Sequence, residues 1–381
     1  MIFKLTEQQE LCQQMAREFA SRYLEPRVEE MEEKRAMPMD LFEKMVETGF
    51  LGVAFDEKYG GLGMDQTCYV LMIEELAKVS SSAPAVIITS VMFMQAVNMF
   101  GTDEQKMHYL PRCITGGDIG SFAFTEPSTG SDPKQLTSVY YEDGDHYILN
   151  GVKRFITNAS YKGPIVVFAN DKKTGATTGF IFEKECEGYS LSSKWDTMGG
   201  KASPVYDIFI DNIKVPKANV LGGIGNGFKV LKGLIAYSKM ALCAGFVGNL
   251  GHAYGLAVKY AKEKLHRNEP IAKFPTIQNT ISTVAGRYYS CKYLVYHLAE
   301  SASNLTAETL PAIVAESGMV KAHVSDTVAE AARLCMTVLG AYGVCEEYTV
   351  SRCVRDAMCA AHIEGVSDMQ RIIFGGYELY S

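Results

Sequence analysis

The hydrophobic period of this chain changes twice, and that limits the folds open to it. From Leu5 to about residue 118 the apolar residues recur at helical spacing. Thr6 can cap the first helix, with Glu10 in its first turns and Leu11, Met15 and Phe19 along one face. Further helical segments fall at about 40–48, 66–79, 83–100 and 104–114. A glycine-rich turn, Lys58-Tyr-Gly-Gly-Leu-Gly-Met64, interrupts them. Near Gly120 the texture shifts to short alternating runs, such as Val139-Tyr-Tyr, His146-Tyr-Ile-Leu, Ile165-Val-Val-Phe-Ala, Gly179-Phe-Ile-Phe and Tyr206-Asp-Ile-Phe-Ile. Turn clusters such as Glu142-Asp-Gly-Asp separate them, a density that predicts an antiparallel barrel or sandwich. After Gly227 long apolar helical segments return, at about 228–265, 276–303, 309–339 and 369–380. The expected architecture is mainly α with a β middle: an N-terminal helical domain (1–118), a β domain (119–225) and a C-terminal four-helix bundle (226–381).

Composition excludes several classes. Hydrophobic residues make up 47% and charged residues 21%, enough for a large core. A net charge of −7 repels phosphate backbones, so no nucleic-acid partner is expected. The most apolar stretch, 85–100, contains Thr89, Ser90, Gln95 and Asn98 and is shorter than the roughly 20 residues of a membrane span. A buried core helix is expected there, and no transmembrane segment. The opening Met1-Ile-Phe-Lys-Leu-Thr does not resemble a secretory leader. The ten cysteines are dispersed without a C-x-x-C pair, so no metal site is expected, and a reducing, cytoplasmic setting is.

The order helix–β–helix becomes specific at Phe124-Thr-Glu-Pro-Ser-Thr-Gly-Ser-Asp132. This resembles the T-E-P-x-x-G-S-D signature of the acyl-CoA dehydrogenases. Tyr59-Gly-Gly-Leu-Gly63 precedes it. Gly151-Val-Lys-Arg-Phe-Ile-Thr-Asn-Ala159 resembles the family's G-x-K-x-[WF]-I-T-N-A. Val215-Pro216, Leu221-Gly222 and Gly225-Asn-Gly-Phe228 follow, and Arg355-Asp356 stands ahead of Ile363-Glu364-Gly365 at the family's spacing. The resemblance covers essentially the whole chain.

That resemblance implies FAD and oxidation of a saturated acyl-CoA between its α and β carbons, or reduction of an enoyl-CoA by the reverse reaction. An electron-transfer flavoprotein would be the redox partner. Among the residues themselves, Glu364 has mostly small or apolar neighbours. On composition alone it reads first as a solvated carboxylate at a helix end, and only second as a base lifted toward neutrality in a dry site. The resemblance decides for the base, as in the short- and medium-chain type. Relatives that carry their base on the first long helix of the bundle have no counterpart here, because Tyr237-Ser238-Lys239 holds no carboxylate. By the same resemblance Phe124, Thr125 and Ser131 line flavin and thioester, and Phe155 and Thr157 cover the flavin ring. Gly365 and the Glu364 backbone face the thioester carbonyl, and Lys239 lies on the substrate side.

The chain departs from the family where one subunit would reach its neighbour's flavin. The family's R-x-x-F-G reads Lys264-Leu-His-Arg267-Asn268, which loses a guanidinium fork. Its Q-x-x-G-G-x-G reads Thr337-Val-Leu-Gly340-Ala341-Tyr-Gly343, and its E-G-T reads Glu364-Gly365-Val366. Two expectations follow. The first is an FAD enzyme, a homotetramer in keeping with the family. The second is a flavin-poor structural subunit of a hetero-oligomer, completed by a paralogue. A carrier-protein thioester is an alternative to the CoA ester.

Overall fold

The computed structural model describes residues 4–130, 132, 134–306 and 308–380. The first domain holds α1 (Glu7–Phe19), α2 (Val28–Lys34), α3 (Met39–Glu47), α4 (Gln66–Ala77), α5 (Ser82–Phe100) and α6 (Asp103–Ile114). Thr6 does cap α1. Its partner in the capping box is Gln9, whose side chain returns the bond to the Thr6 N–H at 3.0 Å. Every residue of α4 is buried, which explains its weak amphipathicity. α5 runs to 19 residues, longer than the apolar stretch 85–100 read from the sequence. It and the first bundle helix are long and apolar enough to cross a bilayer by length and composition, but both lie mostly buried inside the fold.

The middle domain is one eight-stranded sheet. It contains β1 (Ser121–Ala123), β2 (Val139–Asp143), β3 (His146–Thr157), β4 (Pro164–Asp171), β5 (Thr177–Glu183), β6 (Tyr189–Leu191), β7 (Val205–Pro216) and β8 (Val220–Leu221). Its order is β6-β7-β3-β2-β4-β5-β8, with β1 also on β4. The expected antiparallel arrangement needs correction. β1 and β2 both run parallel to β4, so the sheet is mixed. The end strands β6 and β8 are not paired with each other, which leaves it open. Alternation of apolar residues fixes a strand's faces and says nothing of its direction. β4 is apolar throughout because both its faces are covered. Ile165, Val167 and Ala169 enter the core of the β domain, while Val166 and Phe168 join the helical core.

The third domain holds α7 (Gly227–Glu263), a hairpin of β9 (Leu265–His266) and β10 (Glu269–Pro270), α8 (Pro275–Ser303), α9 (Leu310–Leu339), α10 (Val350–Cys359) and α11 (Ser367–Tyr380). α7 is central, packing on α4 and α5 as well as on α8 and α9. The short amphipathic α10 adds to the expected four helices. Val350, Cys353 and Ala357 lie on its inner face, where Cys353, like Cys335 of α9, packs in the core, while Cys345 is exposed and Cys359 half-buried.

Candidate functional site

Between α10 and α11 the chain makes a tight turn that presents Glu364. Glu364 and Gly365 both adopt positive φ, at 50° and 88°. For a non-glycine residue that costs about 1–2 kcal/mol, so other contacts must hold it. At the φ of Gly365 any side chain is strained, and a Cβ there would also displace the Gln370 carboxamide, so the turn favours glycine. α9 fixes the turn from behind. Lys321 donates to the Gly365 carbonyl at 2.7 Å and Ser325 to the Ala360 carbonyl at 3.1 Å, from one face of the helix a turn apart. Asp326 accepts from the Ser367 hydroxyl at 3.0 Å.

Glu364 is half-buried. Burial of its carboxyl pushes the pKa above the ordinary carboxylate range. A hydrogen bond from Ser238 and the charges of Lys239 and Lys321 pull the other way. Lys239 is itself buried, donates to the Gln370 carboxamide oxygen, and is lowered to about 8, by desolvation first, against the pull of Glu364. Lys321 is fully buried and also lowered, again chiefly by desolvation. A carboxylate raised toward neutrality beside two buried cations suits proton transfer near neutral pH.

Ser238 also lines a small cavity of about 10 Å³ between α4, α5 and α7, so the carboxylate stands at its edge. Tyr69, Met92, Gln95, Leu234 and Tyr237 are among its walls. Tyr69 feels the Glu364 charge, and its buried hydroxyl has no hydrogen-bond partner.

The β domain supplies an aromatic platform. Between Lys153 and Ile156 the pairing of β3 with β7 slips, and Phe155 takes a φ of 59°. This bulge throws its ring outward to 55% exposure, against Trp195 with centroids 5.3 Å apart. Arg154 lies over both rings. The Arg154 N–H donates to the Thr125 carbonyl at 2.7 Å, which ties the Phe124–Thr125 segment to the strand carrying Phe155 and Thr157. Asp356 of α10 accepts from the Gly200 N–H at 2.8 Å, joining the loop that follows Trp195 to the helix that leads to Glu364. An outward-facing aromatic platform with a half-buried hydroxyl, Thr157, nearby fits a stacked planar ring system such as isoalloxazine. Phe124, Thr125, Phe155 and Thr157 are thus brought together, while Ser131 lies outside the described residues.

The remaining expected flavin contacts form a separate group. Lys264, Arg267, Thr337, Gly340 and Ala341 are exposed. Lys264 sits over the Tyr342 ring at 5.5 Å. At 1.5 Å per helical residue, Lys264 lies about 37 Å along α7 from Lys239, and Thr337 about 24 Å along α9 from Lys321. Within one chain they do not line the Glu364 cleft. Val366 is beside Glu364 and half-buried. Arg267 and Asn268 occupy the left-handed turn of the β9–β10 hairpin, so the position the family fills with Phe-Gly is a tight turn here.

Several site residues were not anticipated from sequence. Lys321 and Ser325 are polar at i and i+4 on the buried, mostly apolar face of α9, and Tyr69 and Gln95 interrupt two of the most apolar helices. Polar groups at core positions of apolar helices are the signal that would have found them.

The sequence matches family profiles described as the N-terminal, middle and C-terminal domains of acyl-CoA dehydrogenase over residues 6–117, 121–213 and 225–376. It is 33% identical over 378 residues to the 3-(aryl)acrylate reductase of Clostridium sporogenes, covering 97% of each chain. It is 32% identical over 377 residues to a subunit of the caffeyl-CoA reductase–Etf complex of Acetobacterium woodii, covering 97% of this chain and 98% of that one. The structure superimposes on butyryl-CoA dehydrogenase of Megasphaera elsdenii with a TM-score of 0.94 at 30% identity, covering all of both chains. With three domain profiles in order along one continuous fold, the chain belongs to the acyl-CoA dehydrogenases, flavin-dependent oxidoreductases that act on a CH–CH group.

Proposed function

We propose that the protein binds FAD and interconverts an acyl-CoA and its 2-enoyl-CoA, with Glu364 as the base at the α carbon. The observation that carries this reading is the raised, half-buried Glu364 carboxylate, held by Ser238 and flanked by the buried Lys239 and Lys321. When bound, the flavin supplies the acceptor for hydride leaving the β carbon. Glu364 takes the α proton onto its carboxylate. Lys239 and Lys321 keep enough of the carboxyl ionised to act, and burial makes it basic enough to matter. Phe155 offers the ring a stacking face, while Thr125 and Thr157 offer hydrogen bonds beside it. The exposed group around Lys264, Arg267, Thr337, Gly340 and Ala341 serves the flavin of a neighbouring subunit. That places the enzyme in an oligomer, a homotetramer in this reading. A relative that works in an Etf complex supports an electron-transfer flavoprotein as redox partner. Ten free cysteines fit a reducing, cytoplasmic setting.

The purified chain should show a visible flavin spectrum at stoichiometric loading. A saturated acyl-CoA should bleach it without air, and an enoyl-CoA should restore it. A colourless chain that gains flavin only when mixed with a paralogue would replace this reading with that of a structural subunit.

The cations give a pH test. Lys239→Met removes a charge that lowers the Glu364 pKa, so that pKa should rise. Proton abstraction needs the ionised form. The rising limb of bleaching rate against pH should therefore move to higher pH in the variant. A limb that stays put, or moves to lower pH, would remove Lys239 from the electrostatics of the base.

A further inference from the structure

Gln370, at the start of α11 and only 4% exposed, stands between the Glu364 turn and α7. Its N–H donates to the Val366 carbonyl at 3.2 Å, which ties it to that turn. Its carboxamide fills a slot left by two glycines. A Cβ at Gly318 of α9 would come within 3.1 Å of the carboxamide oxygen, and one at Gly365 would overlap the nitrogen. Glycine weakens a helix interior relative to alanine, and in α9 it leaves room for this one group. The oxygen is the end that faces Lys239, because an ammonium can only donate. Building on Glu364 as the base, we propose that Gln370 is a positioning residue: it holds the Lys239 ammonium near the Glu364 carboxylate but out of ion-pair contact with it.

Neither Lys239 nor Lys321 lies within ion-pair distance of the Glu364 carboxylate, yet both act on it through their charge. Lys321 is tied to the Gly365 carbonyl, so α9 fixes where it sits. Lys239 is buried and is tied to Gln370. A buried ammonium that loses its acceptor turns to the nearest anion, and the carboxylate that acts on Lys239 is Glu364. An opposite charge in direct contact lowers a carboxyl pKa by about 1–3. That would leave a weaker base, whereas a neutral amide satisfies the ammonium without touching the base. The other groups facing the carboxylate are Ser238 and Cys243 on α7 and Tyr69 on α4. Burial raises the Tyr69 hydroxyl and the Cys243 thiol, so both stay neutral. Asp326 faces Lys321. The two lysines therefore carry the charge that the base feels, and Lys239 is the one whose place depends on a side chain of α11.

The test follows flavin bleaching against pH in the flavin-loaded enzyme, with butanoyl-CoA or 3-phenylpropanoyl-CoA, whichever reacts faster. Gln370→Met keeps the size of the side chain and removes the acceptor. Lys239 then pairs with Glu364, and the rising limb should move to lower pH by about one unit or more. Gln370→Glu keeps the ammonium in place and sets a second negative charge before the base, so its limb should move to higher pH. A merely loosened turn would move both variants the same way. With Lys239→Met already present, Gln370→Met should move the limb no further. A limb in Gln370→Met that stays put or rises overturns the proposal, as does a shift that persists without Lys239. If Gln370→Met fails to hold flavin, Gln370→Glu decides, and a limb there that does not rise overturns it. If neither thioester bleaches the flavin, or the limb survives in Glu364→Gln, the reading of Glu364 as base falls and takes this inference with it. If Glu364→Gln abolishes the limb and Gln370→Met leaves it fixed, this inference alone falls.

Discussion

Glu364→Gln should keep its fold and its flavin while losing about 100- to 10,000-fold in the rate of bleaching by a saturated acyl-CoA, the usual worth of a positioned general base. The carboxamide matches the carboxylate in shape, so the left-handed turn, the Ser238 contact and the Lys321 bond to the Gly365 carbonyl can all persist. What it lacks is a site for the α proton. The nearest other carboxylates in sequence cannot substitute. Asp356 is buried and bonded to the Gly200 N–H, and Asp368 lies exposed on α11 beside Arg371. Rapid-mixing measurements of flavin bleaching at several pH values would read the loss. A variant that turns over within tenfold of the parent would remove Glu364 as the base and reopen the site.

The sequence carried the order of the domains because periodicity is a local property, and the runs on either side of Gly120 and Gly227 are long. Helix limits such as those of α5 and α7 fell within a few residues of expectation for the same reason. Strand direction was not legible. β1 and β2 run with β4 because the segment between them leaves and returns along one side of it, a relation between distant residues that alternation does not encode. The site divided along the same line. Glu364, Phe155 and Thr125 stood out through motifs contiguous in sequence. Lys321, Ser325, Tyr69 and Gln95 reach the site from three separate helices, and each alone reads as a stray polar residue in an apolar run. The positive φ of Glu364 was equally hidden, since the Lys321 bond that fixes its turn is a tertiary contact.

The flavin-side loop depends on a buried ion pair, and breaking it should unfold or loosen the β domain before it touches the chemistry. Lys153 and Glu126 meet at 2.6 Å with both side chains fully buried. Glu126 also accepts from the Thr137 N–H, the Thr137 hydroxyl and the Ser138 N–H, so one carboxylate closes the whole segment that begins at Phe124. Burial alone would raise its pKa, but Lys153 and these donors outweigh burial and hold it at about 2. Lys153 is governed first by burial, so its charge persists only because Glu126 is there. A carboxylate depressed in this way stabilises the fold fully above the unfolded carboxylate range and loses that contribution as pH falls toward 2. Glu126→Gln keeps the size and strands the ammonium, at a cost of about 3–5 kcal/mol. Urea unfolding should show a lower midpoint at neutral pH, and flavin content should drop because the Phe124–Thr125 segment loses its clamp. Adding Lys153→Met removes the stranded charge, so the double variant should be more stable than Glu126→Gln alone. A double variant no better than the single one would mean that the ammonium finds another partner and that the loop is held by its backbone bonds, chiefly Arg154 to Thr125.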